Sequence, residues 1–161
     1  IRDAENQLKL WVKLFNDEIT FISSDHSPCA PKLKEGEFLN VWGGISACQT
    51  TLPGLLKHGY HDRKLPLHKI SRLTASNVNE VFGIKGKGKI EIGYDADFTL
   101  VDLDKEYVLQ AEDLFYLHKV SPYVNSKFHG LVVQTILRGT TIYKNGKIVS
   151  EPIGKLITPK R

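Results

Sequence analysis

The sequence has 161 residues, 41% hydrophobic, 25% charged and 9% aromatic, with a formal net charge of +4. That is enough apolar material for an ordinary core, and the basic residues Lys32, Lys34, Lys57, Arg63, Lys64, Lys85, Lys87 and Lys89 are scattered among acids without aromatic interleaving, which argues against a nucleic-acid platform. No apolar run approaches the ~20 residues of a membrane span, no leader pattern opens the chain, and two cysteines, Cys29 and Cys48, suit a reducing compartment, so a cytoplasmic protein is expected.

Asp3 is a candidate N-cap, and Leu8, Val12 and Phe15 at helical spacing, with Trp11 beside them, predict a surface helix with one buried stripe. Asn16-Asp17-Glu18 ends it. Ile19 to Ser24 is a short apolar run between charge and proline, which reads as a buried parallel strand. It stops at Asp25-His26. A carboxylate at the carboxyl end of such a strand rides on rigid backbone where loops converge, making Asp25 a candidate metal ligand or proton-transfer group. The same residues also suit a strand end and turn, with Asp25 capping backbone N–H groups and Pro28 imposing extended backbone before it.

From Pro28 to Gly44 there is no periodicity, and its basic residues Lys32 and Lys34 lie in a mobile-looking stretch. A loop this long calls for a reason, such as covering a site, and Gly43-Gly44 would either let backbone approach a planar ligand or simply form a flexible turn. Ala47 to Lys57 predicts a helix with Leu52, Leu55 and Leu56 inward, Pro53 at a first turn or kink, and Gly59 closing it. Tyr60 to Leu65 then reads as a polar connection, with His58 and His61 as solvated histidines. Two short helices follow, one through Leu67, Ile70, Leu73 and Thr74, the other capped by Ser76 and ended by Gly83.

At Gly83 the composition shifts, and Lys85-Gly86-Lys87-Gly88-Lys89, which lacks the phosphate-loop pattern, marks a crossover into a second domain. Ile90, Ile92 and the run 96–103 predict strands about a Gly93-Tyr94-Asp95 turn, Val108-Leu109 a short strand, and Lys119 to His129 an ordered loop. Leu131 to Arg138 is a longer strand with one face expected to be fully buried. Thr140 to Tyr143 pairs with Lys147 to Val149 across Asn145-Gly146, a type I′ hairpin signal.

Ser24-Asp25-His26-Ser27-Pro28-Cys29, Lys34-Glu35-Gly36-Glu37-Phe38 and Trp42-Gly43-Gly44-Ile45-Ser46, in that order, resemble the last barrel strand and following loop of the cyclic amidohydrolases, most closely the allantoinases. Pro122-Tyr123-Val124, Lys127-Phe128-His129-Gly130, Thr135-Ile136-Leu137-Arg138-Gly139 and Tyr143-Lys144-Asn145-Gly146-Lys147 fit the same family's C-terminal region, shared with hydantoinases and dihydroorotases. The resemblance implies an α/β fold: the C-terminal part of a (β/α)8 barrel, with 1–83 as its last helix-strand-helix segment, and 84–161 as part of a small β-sandwich.

It further implies Asp25 as the catalytic proton shuttle and a ligand of a binuclear divalent metal centre, zinc first, with cobalt, nickel, manganese or iron as alternatives. Ser27, Gly43, Gly44, Ile45 and Ser46 would hold the substrate, with His26 and Cys29 supporting them. The implied reaction is hydrolysis of a cyclic amide by a metal-bridged hydroxide, allantoin to allantoate first, because Cys29 stands where the dihydroorotase pattern has histidine. Dihydropyrimidinase, hydantoinase or dihydroorotase chemistry, and a non-catalytic amidohydrolase-like assembly protein, are the alternatives. None of His26, His58, His61, His68, His118 and His129 stands in the family's His-x-His motif. Most metal ligands are therefore expected outside this chain, in the N-terminal part of the same enzyme, and a homo-oligomer is implied. The segment alone is expected to be inactive and not a stable monomer, since unpaired strand edges invite other chains.

Overall fold

A computed structural model describes residues 2–158. Helix α1 (Ala4–Phe15) starts where the Asp3 carboxylate accepts the Asn6 N–H at 2.7 Å, and ends at Asn16, with Asp17 in the left-handed region at φ 58°. Its buried face differs from the predicted stripe. Leu14 is buried and Trp11 and Phe15 pack on the core, whereas Leu8 and Val12 are exposed.

The run 19–24 has no regular secondary structure and forms no ladder, because a parallel strand exists only beside neighbours and none lies alongside it among the described residues. It is held instead by Ile22 N–H on the Leu73 carbonyl (3.0 Å) and by the Asn77 amide on the Thr20 carbonyl (2.7 Å).

Two helices clasp this run. The first, 51–63, begins as α over Thr51–Gly54 and widens to π over Leu55–His61; the second, 67–82, is π over Arg72–Ser76 and α over Asn77–Phe82. Pro53 sits in the opening turn, where its missing N–H costs nothing. Gly59 does not close the first helix: a Cβ there would lie 3.2 Å from Leu65 Cδ2 and 3.5 Å from Trp11 Cζ3, so the glycine serves close packing. The chain leaves the helix at Lys64, φ 62°, and Leu65, expected in a polar connection, is fully buried. Ser76 is no cap, since its φ of −64° and ψ of −42° are helical and the π turn carries the backbone through it. Gly83, φ 64°, ends the helix as predicted. Leu55, Leu56, Leu65 and Ile70 form the core between the helices, with Ile22, Val101 and Leu103 packed against it.

Strands β1 (Phe98–Val108), β2 (Lys127–Leu137), β3 (Thr140–Lys144) and β4 (Lys147–Ile148) form one antiparallel sheet in sequence order. Asn145 (φ 48°) and Gly146 (φ 83°) make the predicted hairpin turn. Ile90 and Ile92 are not strand residues; both are exposed, and 85–97 is a series of turns closed by Asp95 N–H on the Gly86 carbonyl (2.9 Å). There the Lys87 ammonium sits between Asp95 (2.8 Å) and Asp97. Burial pushes the Asp97 carboxyl up, but Lys87 and the Arg138 N–H outweigh it and hold the group below the usual carboxylate range. Val108 closes the long β1, not a strand of its own, and neither face of β2 over 131–137 is fully buried. Irregularities at Leu100/Val101 and Thr135/Ile136 break the alternation that would have kept one face inward. The sheet meets the helices at Gly130, where a Cβ would come within 3.1 Å of Leu56. A second cluster, Leu109, Leu114 and Phe128, carries Tyr107, Tyr116 and Tyr123 on its flank, and burial pushes the Tyr107 phenol up to about 12.

His61 is helical and half-buried, its ring stacked on His129 of β2 with centroids 3.4 Å apart and planes 9° from parallel. Its buried Nε2 has no hydrogen-bond partner among the described residues. Burial first, then the neighbouring His129, pushes His61 below the ordinary histidine range, with the Leu103 backbone partly offsetting them. A histidine depressed in the folded state binds its proton more readily when unfolded, so stability present above about pH 6.5 is lost as the pH falls through the folded value. In the full-length protein, Tm is expected to decline between pH 7.5 and 5.5, and to decline less in His61→Phe, which keeps a ring against His129. Equal slopes in a pair of thermal melts would count against the stack as an acid-sensitive joint.

Candidate functional site

The site begins where the 19–24 run ends. Asp25 has φ 46°, a conformation that aspartate tolerates better than most residues, and its exposed carboxylate receives no hydrogen bond among the described residues. Its lone pairs are therefore open. His26 turns the other way: its Nδ1 accepts the N–H groups of Ala47 (3.0 Å) and Cys48 (3.3 Å), which puts the proton of the neutral ring on Nε2. The next donor, Gln49 N–H, goes to Tyr116 Oη at 2.7 Å, and the Tyr116 and His26 rings lie 5.0 Å apart. Gln49 Nε2 donates to the Asp113 carbonyl (2.7 Å), while its Oε1 accepts Phe115 N–H (3.0 Å). Side chains distant in sequence thus satisfy the orphan donors of a helix start.

Ser27 N–H donates to the Ile45 carbonyl at 2.9 Å, and Trp42 Nε1 donates to the Ser27 carbonyl at 3.2 Å, so the 28–44 loop closes on itself as a strap. The stretch that looked mobile is pinned. Pro31–Lys34 forms a 3₁₀ turn, and the Lys34 ammonium donates to the carbonyls of Trp42 (2.6 Å) and Gly44 (2.5 Å). Gly44 lies so close to Ser27 that a Cβ would meet its Oγ at 2.3 Å and its carbonyl oxygen at 2.6 Å, whereas one on Gly43 would meet nothing within 4 Å. Cys29 is a half-buried free thiol, and Cys48, also free, has its sulfur 3.4 Å from Ser24 Oγ.

Accounting for the main chain from 42 to 46 gives a one-sided result. The carbonyls of Trp42 and Gly44 accept from Lys34, that of Ile45 from Ser27 N–H, and that of buried Ser46 from Ser121 Oγ at 3.1 Å. The N–H groups of Gly43, Gly44, Ile45 and Ser46 have no acceptor among the described residues. With most acceptors tied off, the strap keeps mainly donors to offer a ligand.

The structure ties Ser27 to Gly44 and Ile45, and His26 to Ala47 and Cys48, with Asp25 the residue before His26, and it adds Lys34, Gln49, Tyr116 and Ser121. No local pattern marks Tyr116 or Gln49, which meet across more than sixty residues of chain. Among the described residues no three His, Cys, Asp or Glu side chains form a metal-ligand group. Asp25, an open carboxylate oxygen donor, fits one ligand of a divalent cation; His26 Nδ1 is already committed. A cavity of about 550 Å³ between the sheet and residues 49–53, lined by Tyr107, Phe115, Thr135 and Tyr143, does not include Asp25.

The profile of the amidohydrolase family matches residues 10–149, and the chain belongs to that family. Its helices and small antiparallel sheet form a partial α/β fold consistent with part of a barrel of the (β/α)8 type; the described residues do not make a complete eight-stranded one. The chain is 73% identical over 159 residues to the allantoinase of Desulfitobacterium hafniense strain Y51, a match covering 99% of this chain and 35% of that protein. It is 48% identical over 162 residues to the allantoinase of Rubrobacter xylanophilus, covering 100% of this chain and 36% of that one. Among solved structures, L-hydantoinase (dihydropyrimidinase) from Arthrobacter aurescens matches with a TM-score of 0.93 at 30% identity, covering 98% of this chain and 36% of that one. The chain thus spans about a third of the length of the curated relatives it matches.

Proposed function

We propose that this chain is one part of a metal-dependent cyclic amidohydrolase that opens allantoin to allantoate. In this reading residues 1–83 supply the last helix-strand-helix segment of the barrel and 84–161 part of a β-sandwich. The observation that carries it is the run of free N–H groups at 43–46 on a strap hydrogen-bonded to Ser27, two residues after the open carboxylate of Asp25. High identity to allantoinases supports the same reading.

The chemistry follows from those groups. Allantoin is neutral and rich in carbonyl oxygens, which suit the N–H donors of Gly43, Gly44, Ile45 and Ser46, with the Ser27 hydroxyl alongside. Divalent metal ions, zinc or a similar cation, held in part by Asp25 and mainly by residues outside this chain, would supply Lewis acidity that makes water nucleophilic at neutral pH and polarises the amide carbonyl. Asp25 takes the proton released as the water oxygen adds to the amide carbon. It returns that proton to the ring nitrogen as the C–N bond breaks, and the water's second proton leaves to solvent, so the products are a carboxylate and an N–H group.

The strap also discriminates. Dihydroorotate carries a carboxylate and needs a cation, but Lys34, the lysine that reaches the strap's main chain, already serves two carbonyls. A ring that leaves buried donors unpaired is rejected strongly. With metal-loaded, full-length enzyme, kcat/KM for allantoin should exceed that for hydantoin, dihydrouracil or dihydroorotate by about tenfold or more. A clear lead for any of the other three, assayed side by side, overturns the substrate assignment.

A further inference from the structure

Three consecutive donors at the start of the 48–61 helical stretch, the N–H groups of Ala47, Cys48 and Gln49, are taken by two side chains from separate parts of the chain, His26 and Tyr116. The two acceptor rings touch, with centroids 5.0 Å apart at 42°, so neither can turn without moving the other. Tyr116 is itself held in place. The Gln49 amide spans the backbone at Asp113 and Phe115, Asp113 accepts the Gln110 N–H at 2.9 Å, and Leu114 is fully buried. Ser121 Oγ adds a tie to the Ser46 carbonyl. The segment 110–121 is therefore a clamp on the segment that carries the free donors. His26 links that clamp to the residue before it, Asp25.

We infer that Tyr116 is a positioning residue, whose phenol oxygen and ring fix the angle between Asp25 and the main-chain donors at 43–46. The inference rests on the reaction proposed above. A substrate held by those donors stays bound if the clamp loosens, but the carboxylate that must move its proton no longer sits where the nitrogen leaves. A misplacement of about 1 Å can cost on the order of a hundredfold in rate. The loss therefore falls on kcat more than on KM.

Tyr116→Phe keeps the ring against His26 and removes only the acceptor of the Gln49 N–H. In the full-length, metal-loaded enzyme it should lower kcat about tenfold with KM changed less than about threefold. Amide hydrogen exchange at 47–49 should speed by about tenfold while exchange in α1 is unchanged. Gln49→Met, which cuts the ties to Asp113 and Phe115, should give the same pattern more weakly, and it serves as the test if Tyr116→Phe does not fold. Tyr107→Phe is the control; its ring stacks on Phe128 with centroids 5.6 Å apart, and neither readout should move. Wild-type kcat and wild-type exchange at 47–49 in Tyr116→Phe overturn the inference. So does a kcat loss that tracks lost metal or faster exchange in α1, which would make Tyr116 a general stabiliser. A wild-type enzyme that opens none of the cyclic amides overturns the proposed reaction instead, and the exchange arm then decides the clamp alone.

Discussion

Replacing Asp25 by asparagine in the full-length, metal-loaded enzyme should lower kcat by about 10²–10⁴-fold, the usual worth of a positioned proton-transfer group, with KM changed far less. Asparagine is the informative choice. It matches aspartate in size, and it is among the few residues that share its tolerance of φ 46°, so the backbone at the end of the 19–24 run stays where it is. Alanine would add strain at that φ and mix a folding defect into the kinetics. Metal content measured on the same preparation separates a lost ligand from a lost base. A variant with full metal and more than about a tenth of wild-type kcat contradicts proton transfer by Asp25.

Gly44→Ala should lower kcat/KM by about a hundredfold, while Gly43→Ala, one residue away, changes it little. The contrast is steric. A methyl on Gly44 would lie 2.3 Å from Ser27 Oγ and 2.6 Å from the Ser27 carbonyl oxygen, and though the hydroxyl could rotate away, the main-chain oxygen cannot move without disturbing the hydrogen bond it accepts from Trp42 Nε1. Overpacking of this kind costs about 1–3 kcal/mol and shifts backbone, here the backbone carrying the donors. Near-equal effects of the two alanines in steady-state kinetics would show that the strap relaxes around the methyl.

Features set by neighbouring residues were legible in the sequence. Asp3 before α1, Gly83 after the second helix and Asn145-Gly146 in the hairpin each act through their own backbone, and each stands where its chemistry predicts. Misreadings arose where a residue answers to something distant. Gly59 looks like a helix stop, yet it is glycine because Trp11 and Leu65 leave no room for a side chain. Ser76 looks like a cap, but a π turn runs through it. Ile90 and Ile92 alternate like strand residues, yet a strand needs a partner to pair with, and among the described residues they have none. At the candidate site the motif drew attention to Asp25 and to 43–46. Lys34 was visible as a residue but not as a brace, and the meeting of Gln49 with Tyr116 has no counterpart in any local pattern.

The π turns carry a consequence for how this chain tolerates changes of length. A π turn closes its hydrogen bond one residue later than an α turn, so each such stretch stores a residue that a regular helix would not need. Removing exposed His58 from Leu55–His61 should let that stretch tighten to α without lengthening or cutting the path to buried Leu65. The same deletion in α1 has no slack to draw on and would rotate Trp11 away from the core. Length variants should therefore be accepted at the two widened turns and rejected in the first helix, and a deletion scan read by soluble yield can test that asymmetry without a substrate.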